Sequence, residues 1–451
     1  MREPVASDHR LRSWQLRVFG LLWGAYASYY LCRLNFAVAQ PAILNEFPTW
    51  TSAQIGSIPS AYALAYAVGQ MVNGILGQRY GARRMMTAAL LIASISNLLF
   101  ALTTSLGAMQ VLWAINGWGQ SAGWALMVQT LSDWNTSARR GTLIGRLSTS
   151  YQIGHILSWL LAGVLCDAIG WRAAFVVPGL FLLPVALVFF LFLRDSPVEA
   201  GFPPVRDDVA PQPSQPGTVH PPATGSGWGS TWQVLRLTLS SRVLWILALG
   251  FFVMNAVRYS FMNWSVQYMA EFHGRSIKNS VLTAIMIPLA GCLGAVSAGW
   301  ASDVFFGKRR VPVCVVMLVG LAATCWAMTL VPQGGWGAAT ILLGLAGFLI
   351  YGPDVLIAGA ATVDLSHPKA ASIATGFTMC VGALGAIFSG AGIGYLKDLG
   401  HGNWSLVFQV LAAMPLIPAM LLVLIWNARP QNTGSSPEPP KLGMAQPRSS
   451  G

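Results

Sequence analysis

The chain has 451 residues, of which 54% are hydrophobic and only 9% charged, with a mean hydropathy of +0.56. Soluble domains carry about a quarter charged residues, so this composition excludes a soluble enzyme, a secreted disulfide scaffold and a disordered protein, and leaves a polytopic membrane protein. The formal net charge of +12 points to nucleic acid only if it forms a solvated patch, so its distribution along the chain has to decide.

Residues 1–17, MREPVASDHRLRSWQLR, are basic but lack a short apolar core followed by a small-residue cleavage site; no cleaved leader is expected, and the first span serves for insertion. A helix needs about 20 apolar residues to cross a bilayer. Six such runs lie near 18–40, 53–76, 85–104, 108–132, 142–165 and 172–193, which predicts an N-terminal six-helix bundle over 18–193. Residues 194–242 are rich in Pro, Gly and Ser and read as a linker. Six more runs lie near 243–270, 277–300, 311–331, 336–359, 371–396 and 404–426, which predicts a second bundle over 243–428, and 429–451 is a polar tail. Cys32, Cys166, Cys292, Cys314, Cys325 and Cys380 fall in or beside these runs with no CxxC pair, so they read as small packing residues; no metal site is expected.

Lys and Arg in short loops set orientation, because translocating cations is costly. The loops after spans 2, 4, 8 and 10 hold nine: Arg79, Arg83, Arg84, Arg139, Arg140, Lys308, Arg309, Arg310 and Lys369. The opposite loops hold four, Arg172, Arg275, Lys278 and Lys397, so both termini and the linker are expected on the cytoplasmic side of the cell membrane. The positive balance is then topological, and nucleic acid is not needed to explain it.

The chain repeats itself. Span 2 ends in GILGQRYGARR (74–84) and span 8 in GWASDVFFGKRR (299–310), with glycines 225 positions apart (299 less 74). A Gly-x-x-x-Asp shape recurs at Gly163–Asp167 and Gly394–Asp398. Together they imply three-helix units used four times and paired into two halves. Glycine lets helices approach and the acid can cap or pair with the basic residues beyond, so the copies are expected to latch one cytoplasmic gate through Gly74, Arg79, Arg83, Asp303 and Arg309, with simple loop chemistry as the bland alternative.

Four charges fall inside spans: Arg33, Arg146, Arg258 and Asp354. A mid-membrane charge costs at least about 2.5–3.5 kcal/mol and persists only beside a wet cavity or a partner. Arg33 and Arg258 are again 225 apart (258 less 33), so a pseudo-twofold axis sets them on opposite walls of one cavity. Arginine does not deprotonate and two arginines cannot neutralise each other, so an anion belongs between them; guanidinium forks suit phosphate or carboxylate. Arg146 lies five residues after Gly141 and reads as a gate or headgroup residue. Asp354 follows Gly-Pro, a break expected to free backbone carbonyls, and could offset an arginine, hold a proton or meet a cationic group. Tyr26, Tyr30 and Arg33 share one helical face, and His155 lies one turn beyond Tyr151, either within the cavity or as a structural histidine.

These segments also resemble a known family, the organophosphate:phosphate antiporters of the major facilitator superfamily. YYLCRLNFAVAQP (29–41), INGWGQSAGW (115–124), RDSPVEAGFPP (194–204), RYSFMNWSVQYM (258–269), GWASD (299–303) and LIYGPDVLIAGAATVDLSHPKAASIATGFT (349–378) look like its segments in order. The resemblance implies an all-α membrane protein with the major facilitator fold, twelve helices in two six-helix bundles rocking about one site. It implies Arg33 and Arg258 as phosphate-binding residues and Tyr26, Tyr30, Tyr66 and Trp124 as cavity lining. Two positions depart from the glycerol-3-phosphate type: Gln70 stands for a lysine and Tyr151 for a histidine. With Asp354, the three ionised cavity groups sum to one positive charge.

The expected function is exchange of a small organic phosphate or phosphonate for inorganic phosphate. Closing an empty cavity would desolvate like charges, whereas a bound oxyanion draws the halves together. The expected partners are the small anion, inorganic phosphate and the lipid bilayer, with no cofactor, no nucleic acid and a functional monomer. A proton-coupled organic-anion importer, with a zwitterionic phosphonate as one candidate cargo, and a sugar-phosphate sensor on the same fold stay open as alternatives. Neither HExxH nor a P-loop occurs and no G-x-S-x-G elbow is read, so no enzyme is expected.

Overall fold

The computed structural model describes residues 4–205, 236, 239–307, 309–365 and 371–427. The rest of the linker, the tail beyond Asn427, Lys308 and Lys369 lie outside the described residues.

Before the linker come α1 (Pro4–Leu31), α2 (Asn35–Glu46), α3 (Ser52–Tyr80), α4 (Ala82–Leu102), α5 (Leu106–Gln120), α6 (Gly123–Asp133), α7 (Ser137–Ala168) and α8 (Ala173–Phe192). After it come α9 (Arg242–Glu271), α10 (Ile277–Ala284), α11 (Met286–Val304), α12 (Arg310–Met328), α13 (Trp336–Val355), α14 (Thr362–Leu365), α15 (Ala371–Phe388), α16 (Ala391–Leu399), α17 (Trp404–Ala413) and α18 (Leu416–Val423). Each expected span is occupied by helix. Span 1 is α1 with α2, span 4 is α5 with α6, span 8 is α10 with α11, span 11 is α15 with α16 and span 12 is α17 with α18.

Among the described residues, eight helical segments are long and apolar enough to cross a membrane: spans 3 and 6 and all six of the second half. Spans 1, 2, 4 and 5 are diluted by polar side chains, including Arg33, Asn35, Gln40, Asn73, Asn116, Gln120 and His155. Polar groups at membrane depth must face protein or a wet cavity and not lipid tails. These helices therefore carry the interior chemistry of the first half.

Small residues set the tightest crossings. A Cβ added at Gly294 of α11 would lie 2.0 Å from the Phe348 carbonyl oxygen of α13, and one at Gly347 of α13 would lie 2.2 Å from that of Ile287. The two backbones touch there, a contact any side chain would prevent. Buried aromatic clusters fill each half elsewhere: Phe36, Phe100, Trp113 and Phe175 in the first, and Trp264, Tyr268, Trp404 and Phe408 in the second.

The halves meet at the ends of the helices far from Arg83 and Arg310. There Gln40 donates to Gln267 at 2.5 Å, Ser60 Oγ donates to the Ile387 carbonyl at 2.5 Å, and the Ala391 N–H donates back to Ser60 Oγ at 2.9 Å. The helix starts at this face bring unsatisfied backbone N–H groups. Thr51 and Gln54 form a capping box on α3, and Ser276 accepts from Asn279 on α10. Carboxylates of the opposite half take further donors. Asp398 at the end of α16 accepts from Ser52 at 2.9 Å and Ala53 at 2.8 Å, and Asp167 at the end of α7 accepts from Lys278 at 3.1 Å. A Cβ at Gly394 would lie 2.1 Å from the Ser52 carbonyl oxygen, so this glycine sets the approach of α16 to α3.

This corrects the expectation that all four Gly-x-x-x-[Asp/Gln] copies latch one gate. The copies at 163–167 and 394–398 join the halves at the far end, because spans 5 and 11 run in the opposite direction to spans 2 and 8.

Candidate functional site

Arg33 sits where span 1 is broken between α1 and α2. The break leaves the Cys32 carbonyl without a helical partner, and three amide side chains claim it: Asn116 at 2.8 Å, Asn97 at 3.2 Å and Gln120 at 3.3 Å. Asn35 just beyond donates to Asn97 at 2.8 Å and to the Ala174 carbonyl at 2.9 Å. All four amides are buried. Such a buried network fixes the kink, since removing one member strands another.

The guanidinium of Arg33 lies over three tyrosine rings, 4.7 Å from the Tyr66 centroid, 5.3 Å from Tyr30 and 5.4 Å from Tyr62. The ring faces attract the cation without cancelling its charge. No acidic side chain pairs with Arg33 among the described residues. Tyr62 continues the support, its hydroxyl donating to Gln120 at 3.3 Å, and Gln120 donates to Asn116 at 2.9 Å.

Arg258 differs from its repeat mate. It lies inside an unbroken α9, and its Nη1 donates to Asp354 Oδ2 at 2.8 Å. The pair keeps 20% and 13% of its side-chain surfaces exposed, so it is shielded but reachable. Arg258 also lies 4.8 Å from the Tyr259 ring centroid. Gly352-Pro353 does not break the helix as expected. α13 runs through Pro353 to Val355, and the wider π-turn segment Leu356–Ala361 follows Asp354.

His155 lies within electrostatic reach of Arg33 and of Arg258, as does Tyr259, and Tyr30 reaches both Tyr259 and Tyr151. His155 is buried, edge-on to Trp159 at 4.5 Å, and its Nε2 has no hydrogen-bond partner. A line of rings runs from Trp124 to Tyr26 (5.6 Å), Tyr30 (5.6 Å) and Tyr151 (6.2 Å). Tyr151 is in turn within reach of Arg258 and Asp354.

Two expected residues stand apart. Gln70 is exposed and makes no hydrogen bond to another described residue, and Arg146 is exposed. Sequence reasoning missed Tyr62, Tyr259 and Tyr351. Tyr62 is one turn before Tyr66, Tyr259 adjoins Arg258 and Tyr351 is one turn before Asp354, so helical spacing from residues already chosen was the available signal. It also missed that residues 119–123, GQSAG, spell G-x-S-x-G. Ser121 there is buried at a helix contact, donating to the Trp118 carbonyl and accepting from Asn73, so it is a packing serine.

Of the expected gate residues, Arg83 is held within its own half: its N–H donates to Asp195 at 2.6 Å and its Nε to the Phe190 carbonyl at 2.5 Å. Asp303 pairs with Arg310 at 2.6 Å; Arg309 instead donates to the Phe306 carbonyl at 3.3 Å. Arg79 is exposed over Tyr80. Gly74 lies in α3, with its surroundings outside the described residues.

The chain is thus a polytopic helical protein that carries Arg33, Arg258 and Asp354 inside its spans. The Major Facilitator Superfamily model matches residues 22–390. The chain is 30% identical over 436 residues to the probable hexose phosphate transport protein of Chlamydia pneumoniae. It is 30% identical over 428 residues to the membrane sensor protein UhpC of Salmonella typhimurium and 30% over 429 residues to the glycerol-3-phosphate transporter of Bacillus subtilis. Each alignment covers 94% of both chains. Among solved structures, a bacterial homolog of the human lysosomal transporter Spinster, inward-facing and unoccupied, matches in fold with a TM-score of 0.68 at 16% identity, over 92% of this chain and 94% of the other. The chain therefore belongs to the Major Facilitator Superfamily, as an organophosphate:phosphate antiporter-like, multi-pass membrane protein.

Proposed function

We propose that the chain exchanges a small organic phosphate or phosphonate for inorganic phosphate by alternating access, in the cell membrane, with both termini cytoplasmic. The observation that carries this reading is Arg33: a charge inside a span, ringed by three tyrosines and paired with no acid among the described residues, with His155 in electrostatic reach of it and of Arg258. A group of that kind is stabilised by an oxyanion that accepts from its free N–H edge. The relatives' names, hexose phosphate transport and glycerol-3-phosphate transport, support a phosphorylated cargo.

In this mechanism Arg33 and Arg258 grip the oxyanion from opposite halves, and Tyr26, Tyr30, Tyr66, Trp124, Tyr151 and His155 shape the space beside it. The bound anion offsets the charge of Arg33 that would otherwise be desolvated when the cavity closes, so loaded carriers cross more readily than empty ones. The far face opens as Asp398 and Asp167 release the starts of α3 and α10, while the basic end closes around Gly74, Arg79, Arg83, Asp303 and Arg309. The carrier acts as a monomer, without chemistry on its cargo.

The test is uptake of labelled phosphate into proteoliposomes. Exchange predicts uptake into phosphate-loaded vesicles and little into empty ones. A receptor, the reading suggested by the sensor relative's name, would bind phosphate esters and transport nothing under either loading.

A further inference from the structure

The repeat mates Arg33 and Arg258 are unlike in one respect: Arg258 has a carboxylate and Arg33 has only rings. We propose that the preferred cargo carries an ammonium group as well as its phosphoryl or phosphonyl oxyanion. The oxyanion sits on Arg33 and Arg258 and the ammonium on Asp354. This assignment rests on the organophosphate reading above and narrows its substrate class to small amino-organophosphates.

Charge is the first reason. Arg33, Arg258 and Asp354, all ionised, leave one positive charge, whereas a phosphate monoester carries about −1.5 to −2 near neutral pH. An ester without an amine overfills the site. Adding one ammonium brings the cargo to about −0.5 to −1, which the site balances.

Unused bonding capacity is the second. Only one carboxylate oxygen of Asp354 is engaged; Oδ1 is buried without a hydrogen-bond partner, and so is Arg258 Nε. Each member of the pair is thus half satisfied, in a place where an unmet polar atom is costly. A molecule bearing both signs is the complement of this pair: its anion accepts from Arg258 and its cation donates to Asp354. The carboxylate turns easily about its last bond, so either oxygen can be offered through the exposed side of the pair.

Surroundings are the third. The other ionisable groups within electrostatic reach of the pair are the tyrosines 151, 259 and 351, with His155 in reach of Arg258. Their rings suit an alkylammonium, which is attracted to aromatic faces. A neutral hydroxyl could fill Oδ1 too, but it would leave the excess negative charge in place and make the weaker, uncharged hydrogen bond.

The experiment measures how well 2-aminoethyl phosphate, ethyl phosphate, N-acetyl-2-aminoethyl phosphate and glucose 6-phosphate compete with labelled phosphate for exchange in proteoliposomes. The wild type is expected to favour 2-aminoethyl phosphate over ethyl phosphate about tenfold or more, the gain of one charge-assisted bond, and acetylation should erase it. In Asp354→Asn the ratio between the two should fall to about twofold or less, with Asp354→Glu restoring part of it. Equal competition by the amine and its ethyl analogue, or a preference that survives in Asp354→Asn, overturns the proposal while leaving phosphate exchange standing. Glucose 6-phosphate outcompeting the amine tenfold also overturns it. Absence of phosphate exchange in the wild type defeats the exchange reading itself, and the narrower proposal with it.

Discussion

Asp398 at the end of α16 accepts the backbone N–H of Ser52 at 2.9 Å, so a carboxylate from one half caps the first turn of a helix in the other. The repeat makes the same contact a second time, with Asp167 accepting from Lys278 at the start of α10. A carboxylate at a helix N-terminus is favoured by the axial dipole and by the unfilled N–H groups there.

Asp398→Ala is therefore expected to loosen the far face. Losing two bonds to a carboxylate, each worth about 1.5 kcal/mol or more, should raise the open population at least tenfold. A Ser60→Cys reporter at this seam, in a background lacking the exposed Cys292 and Cys380, should react that much faster with a membrane-impermeant maleimide. An unchanged rate would mean that Asp398 does not hold the seam.

Glycine spacing gives a sharper version. A Cβ at Gly394 meets the Ser52 carbonyl at 2.1 Å, while one at Gly392 of the same helix meets only Phe388 Cβ at 3.8 Å. Gly394→Ala should hold the seam apart at a cost of about 1–3 kcal/mol and impair exchange, and Gly392→Ala should resemble the wild type in both labelling and transport.

How far the sequence could be read follows from these contacts. Spans, the internal repeat and the two arginines were legible because a charge in an apolar run has few physical excuses. The two faces of the Gly-x-x-x-Asp copies were not kept apart, since the motif looks alike wherever a helix ends; only the running direction of spans 5 and 11 separates them. The break at Cys32–Leu34 was also invisible, because it is stabilised by Asn97, Asn116 and Gln120 from distant parts of the chain. The unequal state of Arg33 and Arg258 was hidden for the same reason. Asp354 was noticed, yet the chain alone could not say which arginine it meets.

That pairing predicts a non-additive stability pattern. Arg258→Ala leaves the carboxylate of Asp354, only 13% exposed, without its counter-charge, and removing one partner of a buried pair typically costs about 3–5 kcal/mol. The double variant Arg258→Ala/Asp354→Ala removes both charges and is expected to unfold at a higher temperature in detergent than Arg258→Ala alone. Equal or lower stability of the double variant would argue against the pair.

The kink beneath Arg33 can be probed in the same way. Asn116→Leu deprives the Cys32 carbonyl of its shortest bond, 2.8 Å, and Gln120 of an acceptor. The expected cost is about 1–3 kcal/mol, with weakened phosphate binding because Arg33 rides on the break. A stable Asn116→Leu protein with undiminished phosphate affinity would show that the network does not position the arginine.

The central claim is that one oxyanion is gripped by Arg33 and Arg258 together, and equilibrium binding of inorganic phosphate by calorimetry, in the wild type, Arg33→Lys and Arg258→Lys, tests it most directly. Lysine keeps the charge but not the fork, so both variants are expected to lose about tenfold or more in affinity while remaining folded. Phosphate binding that is unaffected by either substitution would contradict the account.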